Sequence, residues 1–158
     1  HYDEVAQQLS LAQRWPVPVH HHTVIVPVAD LHRGTLKAVE YAQALGGDLH
    51  TVSIAIDSNE SEVLWERWQD LLPDVPLEVI PSPYRSVLVP LLEYIEGFVR
   101  EEGDYVTVVV PEFVPTKWWH RFLHNQTAQL LRRELLRRRT GWQGRFRILT
   151  NVPFYLTR

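Results

Sequence analysis

The chain has 158 residues, of which 45% are hydrophobic and 22% charged, a composition typical of one soluble globular domain with its own core. The sequence contains no cysteine, which excludes disulfides, thiolate metal sites and cysteine nucleophiles. Methionine is absent even at position 1, as expected of a piece of a longer polypeptide or of a trimmed start, and no apolar run reaches the roughly 18 residues that span a bilayer.

Charge is unevenly distributed along the chain, although the net charge is only −3. Residues 1–116 hold 18 acidic and 6 basic side chains, whereas residues 117–158 hold 1 acidic and 10 basic ones. Two explanations stay open at this point. Either the two parts neutralise each other in the fold, or the basic part faces an anion such as a nucleotide or an acidic membrane surface.

The chain begins with a short amphipathic pattern and a proline-rich step. Residues 3–13 predict a helix, and the sequence WPVPV at 15–19 is extended by its prolines, which is typical of a linker. We therefore predict two units, an N-terminal helix with its linker over 1–19 and an α/β domain over 20–158.

Five strand patterns then alternate with four helix patterns. The predicted strands cover 23–28, 48–57, 76–80, 105–110 and 144–152, and the predicted helices cover 35–45, 58–72, 86–102 and 125–139. Gly46 and Gly47 predict the end of the first of these helices, and the cap of the second is assigned to Ser58 or Asn59. The predicted buried stripe of the second helix consists of Trp65, Trp68, Leu71 and Leu72. The prolines around the third strand predict that it lies at a sheet edge.

This order predicts an α/β fold with a five-stranded, mainly parallel, doubly wound sheet in the strand order 3-2-1-4-5, a Rossmann-like sandwich. Ligands of such sheets bind at the carboxyl ends of the strands where the winding reverses. The loops 29–34 and 111–117 are predicted to meet there.

Several side chains near that point are candidates for chemistry. Asp30 and Glu112 could form a carboxylate pair for acid–base or metal work, they could cap helices, or they could belong to a ligand-binding site. His32 and Arg33 suit an anion. Because no nucleophile, third metal ligand or phosphate loop accompanies them, we expect no catalytic residue and no metal site, and the three histidines 20–22 are interpreted as polar residues that lead into a strand.

Further anion-binding candidates lie at two helix starts. Arg85 lies in the segment SPYRS, which suits an anion or a simple helix cap. No glycine occurs between Asp104 and Thr140, so a nucleotide bound after the fourth strand would need side chains or the helix start at Asn125, Gln126 and Thr127.

The aromatic and basic residues that follow are candidates for contacts. Trp118, Trp119 and Phe122 fall on one helical turn, which suits either core packing or contact with a second subunit, a neighbouring domain or a membrane interface. The arginines between 132 and 139 alternate with leucines, which is typical of a solvated outer helix face or of a surface close to anionic headgroups. No motif for reading nucleic acid occurs, so we expect no nucleic-acid partner.

Three phrases together resemble a known family. They read HHTVIVPVADLHRGTLKAVEYAQAL, SPYRSVLVPLLEYI and TVVVPEFVPTKWWHRFLHNQTAQLL. The chain resembles the cytosolic C-terminal domain of bacterial permeases of the amino acid–polyamine–organocation (APC) superfamily, a domain whose fold is similar to the universal stress proteins. Residues 2–11 look like the segment that follows the last membrane helix.

The resemblance implies a non-enzymatic regulatory or accessory domain of an amino acid or cation permease. It further implies a homodimer on the cytoplasmic side of the membrane, joined to the membrane-spanning domain of the same polypeptide. The glycine pattern with which many universal stress proteins bind ATP is missing here, and some potassium-importing relatives bind cyclic di-AMP. The expected nucleotide is therefore cyclic di-AMP rather than ATP, and the alternative is a free-standing, nucleotide-binding universal stress protein.

Overall fold

The structure is a computed structural model that describes residues 2–10, 21–99, 104–114, 126–137 and 146–155. The strands are β1 (His21–Pro27), β2 (Asp48–Ala55), β3 (Leu77–Pro81), β4 (Asp104–Val114) and β5 (Phe146–Tyr155). The helices are α1 (Tyr2–Gln8), α2 (Arg33–Ala44), α3 (Ser58–Leu71), α4 (Leu88–Glu96) and α5 (Gln126–Arg137). Residues 11–20 lie outside the described part, so the domain boundary at 19 and 20 stays a prediction.

The five strands form one sheet in the order β3-β2-β1-β4-β5, and every neighbouring pair is parallel. Ile25 in the middle of β1 is aligned with His50 of β2 and with Val108 of β4. The predicted α/β class, strand order and parallel pairing are confirmed, and this order is consistent with a Rossmann-like or universal stress protein-like fold. The winding reverses between β1 and β4, because these neighbours are not consecutive in the chain.

Helices cover both faces of the sheet, and each face has its own core. The first core packs α2 and α3 on one face of the sheet, and its members include Val24, Val26, Val39, Trp68 and Val109. The second core packs α4 and α5 on the other face, and its members include Ile25, Leu92, Ile95, Val108 and Leu131. Successive residues of β1 and β4 alternate between the two cores, as the period of a strand requires.

The residues that α3 buries differ from the predicted stripe. Leu64 and Trp68 are its buried residues, whereas Trp65 and Leu71 are 46% and 58% exposed. Leu64 and Trp68 are four residues apart, so they lie on the same side of the helix, and both pack in the first core. The cap also differs from the prediction, because the Asp57 side chain accepts hydrogen bonds from the backbone nitrogens of Asn59 (2.8 Å) and Glu60 (3.2 Å).

Helix α4 is shorter than predicted at both ends. Arg85 has a φ of 53°, a left-handed conformation that excludes it from a right-handed helix. Ser82 closes the turn before the helix, since its Oγ donates to the Ser86 carbonyl oxygen at 2.6 Å. The helix ends at Glu96, with Gly97 as its C-cap, instead of continuing to 102.

Strand β4 continues past the proline at which its end was predicted. Its alignment with β5 extends to the pair Val114 and Tyr155, whereas its alignment with β1 stops at Val108. Pro111 lacks a backbone N–H, and a strand tolerates a proline where no neighbour needs that donor. Since β1 no longer pairs with β4 at this height, Pro111 can lie within the strand. Part of the predicted loop 111–117 is therefore sheet.

The two edge strands of the sheet both contain proline. Pro81 is the last residue of β3, and Pro153 lies within β5, aligned with Glu112 of β4. The predicted edge position of β3 is confirmed. Within the described ranges, no helix combines the length and the apolar character that crossing a membrane would need.

Candidate functional site

A cavity of about 360 Å³ opens at the carboxyl edge of the sheet, where the winding reverses. Its base is formed by the ends of β1, β2 and β4, and the first turns of α2, α3 and α4 form its walls together with one residue of α5. Its lining residues include Pro27, His32, Thr35, Ser53, Ile54, Asp57, Glu60, Ser61, Val87, Leu91, Val110, Pro111 and Leu131. This is the place that the strand order predicted for a site.

His32 lies at the mouth of this cavity and caps α2. Its Nδ1 accepts a hydrogen bond of 3.1 Å from the backbone nitrogen of Thr35, so that ring nitrogen carries no proton in the capped state. Burial lowers the pKa of His32 below its ordinary 6.5, and the nearby charge of Asp30 opposes that effect. A neutral imidazole therefore faces the cavity at neutral pH.

The wall formed by α3 contributes polar residues that the sequence interpretation did not select. Asp57 caps the helix, and Ser61 donates through its Oγ to the Asp57 carbonyl oxygen at 2.7 Å. Glu60 is exposed on the first turn and lines the cavity. The pattern Asp-Ser-Asn-Glu after a strand was the available signal, because aspartate is as good an N-cap as serine or asparagine.

The two carboxylates expected to face each other each have a partner of their own. Asp30 Oδ1 accepts from the backbone nitrogen of Leu31 at 2.7 Å and lies 3.8 Å from Arg67 Nη1. Glu112 Oε2 accepts a bond of 3.2 Å from the side-chain nitrogen of Asn151 in β5. Neither Asp30 nor Glu112 is among the residues that line the cavity.

The predicted arginines lie at two separate places. Arg33 is the first residue of α2, it is exposed, and it directly follows the cavity residue His32. Arg85 is exposed on the turn before α4, where a second groove of about 530 Å³ runs between the end of β3 and α4. The structure therefore does not bring Arg33 and Arg85 into one site.

The remaining predicted residues lie either at the start of α5 or outside the described residues. Gln126 and Thr127 are the first residues of α5, so the helix begins one residue after the predicted start at 125. Asn125 and the aromatic residues Trp118, Trp119 and Phe122 lie outside the described residues. Their binding and interface roles remain predictions.

The histidines at the other end of β1 have ordinary polar partners. His21 Nε2 lies 3.2 Å from Asp48 Oδ2, and His22 Nε2 shares a hydrogen bond of 2.8 Å with Thr107 Oγ1. Over the residues that the structure covers, no group of three or more histidine, cysteine or acidic side chains is arranged to hold a metal.

The lining of the cavity determines what it can bind. Ile54, Val87 and Leu91 supply apolar surface, while Ser53, Thr35 and Ser61 supply hydroxyl groups. The charged residues among the lining are the acids Asp57 and Glu60, which disfavour a phosphate inside the cavity itself. Apolar walls with a few hydroxyl groups suit a flat, uncharged ring such as a nucleobase.

The fold and its cavity define a doubly wound α/β domain with an open crevice at its switch point. The family described as the KimA potassium transporter C-terminal domain matches residues 19–146 of the chain. The chain belongs to this family. It is also 35% identical over 135 residues to the potassium transporter KimA of Bacillus subtilis (strain 168), an alignment that covers 84% of this chain and 22% of that protein. The chain thus spans about a fifth of the length of this relative.

These comparisons correct one expectation. The resemblance to an APC-superfamily permease left open whether the permease carries amino acids or cations. The expectation of an amino acid permease is wrong in this detail, because the matching family and the relative are both described as potassium transporters. The coarser expectation, an accessory domain of a membrane transporter, is confirmed at the level of the family.

Proposed function

We propose that this chain is the cytosolic regulatory domain of a potassium transporter and that it has no catalytic role. The observation that carries this proposal is the match of residues 19–146 to a transporter C-terminal domain family. The membrane-spanning part of the same polypeptide is its first partner. In the complete gene, repeated apolar segments of about 20 residues upstream are the expected result, and their absence would end the transporter proposal.

The regulatory ligand that we propose is cyclic di-AMP, with one adenine in the cavity at the carboxyl edge. The volume of about 360 Å³ lies in the range of small-molecule sites and suits one base rather than the whole dinucleotide. The neutral ring of His32 and the hydroxyl groups of Ser53 and Ser61 offer hydrogen bonds to the base and its ribose. The phosphates would lie outside the acidic lining, where Arg33 is the neighbouring cation in the chain.

The charge of Glu60 provides a sharp test of this arrangement by calorimetry. Replacing Glu60 with glutamine removes a negative charge from the cavity wall, so affinity for the doubly negative cyclic di-AMP should rise by roughly two- to fivefold. The neutral nucleoside adenosine should bind equally well before and after the change. Glu62→Gln, which is exposed on the same helix but does not line the cavity, is the matched control and should leave the affinity unchanged.

Replacement of Arg33 tests the proposed phosphate contact. Arg33→Ala should weaken binding of cyclic di-AMP by about tenfold, as the loss of a charge-assisted hydrogen bond predicts. Arg85→Ala should have little effect, because Arg85 lies beside the second groove. If the unmodified chain gives no heat with cyclic di-AMP, the ligand proposal fails while the transporter assignment stands. Heat with ATP instead would favour the alternative of a free-standing nucleotide-binding stress protein.

Homodimerisation belongs to the same proposal. Trp118, Trp119 and Phe122 form an aromatic sequence cluster that suits a subunit interface. Light scattering of the chain should give twice the mass of 18.5 kDa, and Trp118→Ser with Trp119→Ser should return it to the monomer. A monomer before substitution would contradict the dimer.

A further inference from the structure

Helix α5 presents a basic surface on the outside of the domain. Leu131 is 1% exposed and fixes the helix in the second core. On its other sides, Gln129, Arg132 and Arg133 are exposed, and Leu130 is 40% exposed. We call the exposed residues Gln129, Leu130, Arg132 and Arg133 the α5 surface.

The opposite face of the sheet has the opposite charge. Helix α3 carries the exposed acids Glu60, Glu62, Glu66 and Asp70. Because α3 packs in the first core and α5 in the second, the sheet separates the acidic helix from the basic one. The acids of α3 therefore do not neutralise the arginines of α5 by direct contact. Pairing between α3 and α5 therefore does not explain the uneven charge, and the acids on the α5 side of the sheet include Glu134 of α5 and Glu93 and Glu96 of α4.

We propose that the α5 surface docks on an anionic lipid bilayer. Each arginine near such a surface is attracted by its negative potential, and a partly exposed leucine between arginines is the pairing found in helices that lie at the interface. The acidic α3 helix on the far face is repelled by the same bilayer. Together the two faces orient the domain, with α5 toward the lipid and α3 toward the solvent.

A bilayer explains these observations better than nucleic acid does. The chain has a net charge of −3, and its acidic face would repel a polyanion that wraps around the domain. A flat surface meets only one face of the domain, so it is attracted by α5 without approaching α3. The family match to a domain of a transporter supplies a bilayer within reach.

Cosedimentation of the 158-residue chain with lipid vesicles tests this proposal without any nucleotide. The chain should bind vesicles of phosphatidylcholine and phosphatidylglycerol in equal parts and should not bind vesicles of phosphatidylcholine alone. Binding should fall strongly between about 0.05 M and about 0.5 M salt, because salt screens the surface potential.

Single charge removals identify the surface that binds. Arg132→Gln and Arg133→Gln should each lower the partition coefficient about fivefold, and the two together about 30-fold. Lys37→Gln, which removes the same charge from exposed α2 on the acidic side, is the matched control and should change it less than twofold. Thermal unfolding by circular dichroism checks that all variants are folded.

Several outcomes would overturn the proposal. They are the absence of binding to anionic vesicles at low salt, equal binding to neutral vesicles, and an equal loss for Lys37→Gln and Arg133→Gln. If a DNA or RNA oligonucleotide binds in a way that depends on Arg132 and Arg133, and vesicles do not bind, the partner of the α5 surface is nucleic acid and the proposal is wrong. None of these outcomes bears on cyclic di-AMP binding, so the proposed function can fail or stand independently.

Discussion

Trp68 shows how one side chain joins helix α3 to the turn that follows it. It is fully buried in the first core, and its Nε1 donates a hydrogen bond of 2.6 Å to the Val75 carbonyl oxygen in the turn before β3. The indole therefore fixes both the depth of α3 and the path of the chain that follows it. A smaller aromatic ring would fill only part of the space and would leave that carbonyl without its donor.

We expect Trp68→Phe to lower the free energy of unfolding by about 2–4 kcal/mol, the combined cost of a small cavity and a lost buried hydrogen bond. Denaturant unfolding measures this change. Trp65→Phe is the control, because Trp65 is 46% exposed, and it should cost less than about 0.5 kcal/mol. Equal losses for the two variants would contradict the role of Trp68.

His32 makes the N-terminus of α2 sensitive to pH. Burial lowers its pKa in the folded state, whereas in the unfolded chain the pKa has its ordinary value of 6.5. As the pH falls below 6.5, the unfolded state takes up a proton more readily than the folded state, which destabilises the fold. The contribution of His32 to stability is therefore complete above this value and is lost as the pH falls toward the lower folded pKa.

Replacing His32 with asparagine keeps an N-cap residue and removes the titrating imidazole. Asparagine is a good N-cap that does not titrate, so His32→Asn should keep the stability at pH 8 within about 1 kcal/mol and should flatten its decrease between pH 7 and pH 5. Free energies of unfolding across this range, measured with urea, provide the test. An unchanged slope would show that other groups cause the acid sensitivity.

At the scale of elements, two adjacent glycines follow α2, and each is needed for a different reason. Gly46 has a φ of 68°, a left-handed conformation that costs other residues free energy, but a Cβ there would meet no atom within 4 Å. Gly47 has no such φ, yet a Cβ there would lie 2.8 Å from the His22 carbonyl oxygen. The first glycine is required by the backbone conformation and the second by the close approach to β1.

This difference predicts different effects of substitution. Gly46→Ala should cost about 1–2 kcal/mol through the left-handed backbone, and Gly46→Asn should cost less, since asparagine tolerates that conformation. Gly47→Ala should cost about 1–3 kcal/mol through a clash with backbone atoms, and Gly47→Asn should cost more still. The ranking by thermal unfolding is the test. If asparagine were tolerated equally at both positions, the two reasons would not differ.

The sequence predicted the order and type of these elements well, and their ends less well. Alternation of β-branched runs with helix patterns was sufficient for the strand order, because the handedness of parallel connections leaves few arrangements. The ends of α4 and β4 depended on tertiary contacts. The left-handed turn at Arg85 and the pairing of Pro111 beside β5 are set by neighbouring elements rather than by local residue type.

The sequence predicted where the cavity lies, but it predicted only some of the residues that line it. The reversal between β1 and β4 located the cavity, and His32 was selected because it follows β1. Glu60 and Ser61 were not selected, because the sequence does not reveal how closely α3 approaches the crevice. Asp30 and Glu112 were selected as ligand-binding candidates, and their side chains contact Arg67 and Asn151 outside the lining of the cavity.

At the scale of the whole molecule, the two cores share the strands that separate them. Val108 and Val109 are neighbours in β4, both fully buried, and they point into the second and the first core respectively. Neither core can lose its packing without disturbing a strand that also supports the other. We therefore expect the domain to unfold as one cooperative unit.

Two matched variants test this cooperativity. Val108→Ala and Val109→Ala should each lower the free energy of unfolding by about 1–3 kcal/mol through loss of buried apolar volume. In both variants the transitions followed by tryptophan fluorescence and by far-ultraviolet circular dichroism should coincide. Two separate transitions in either variant would show that the two sides of the sheet unfold independently.

The prolines at the two outer strands have a consequence for copies of this protein that are held close together. An open sheet edge is a template on which another chain can add a strand, and this addition is a common route to aggregation. Pro81 at the end of β3 and Pro153 within β5 each remove one backbone donor from an edge. We therefore expect both margins of the described sheet to resist strand addition when neighbouring copies are concentrated.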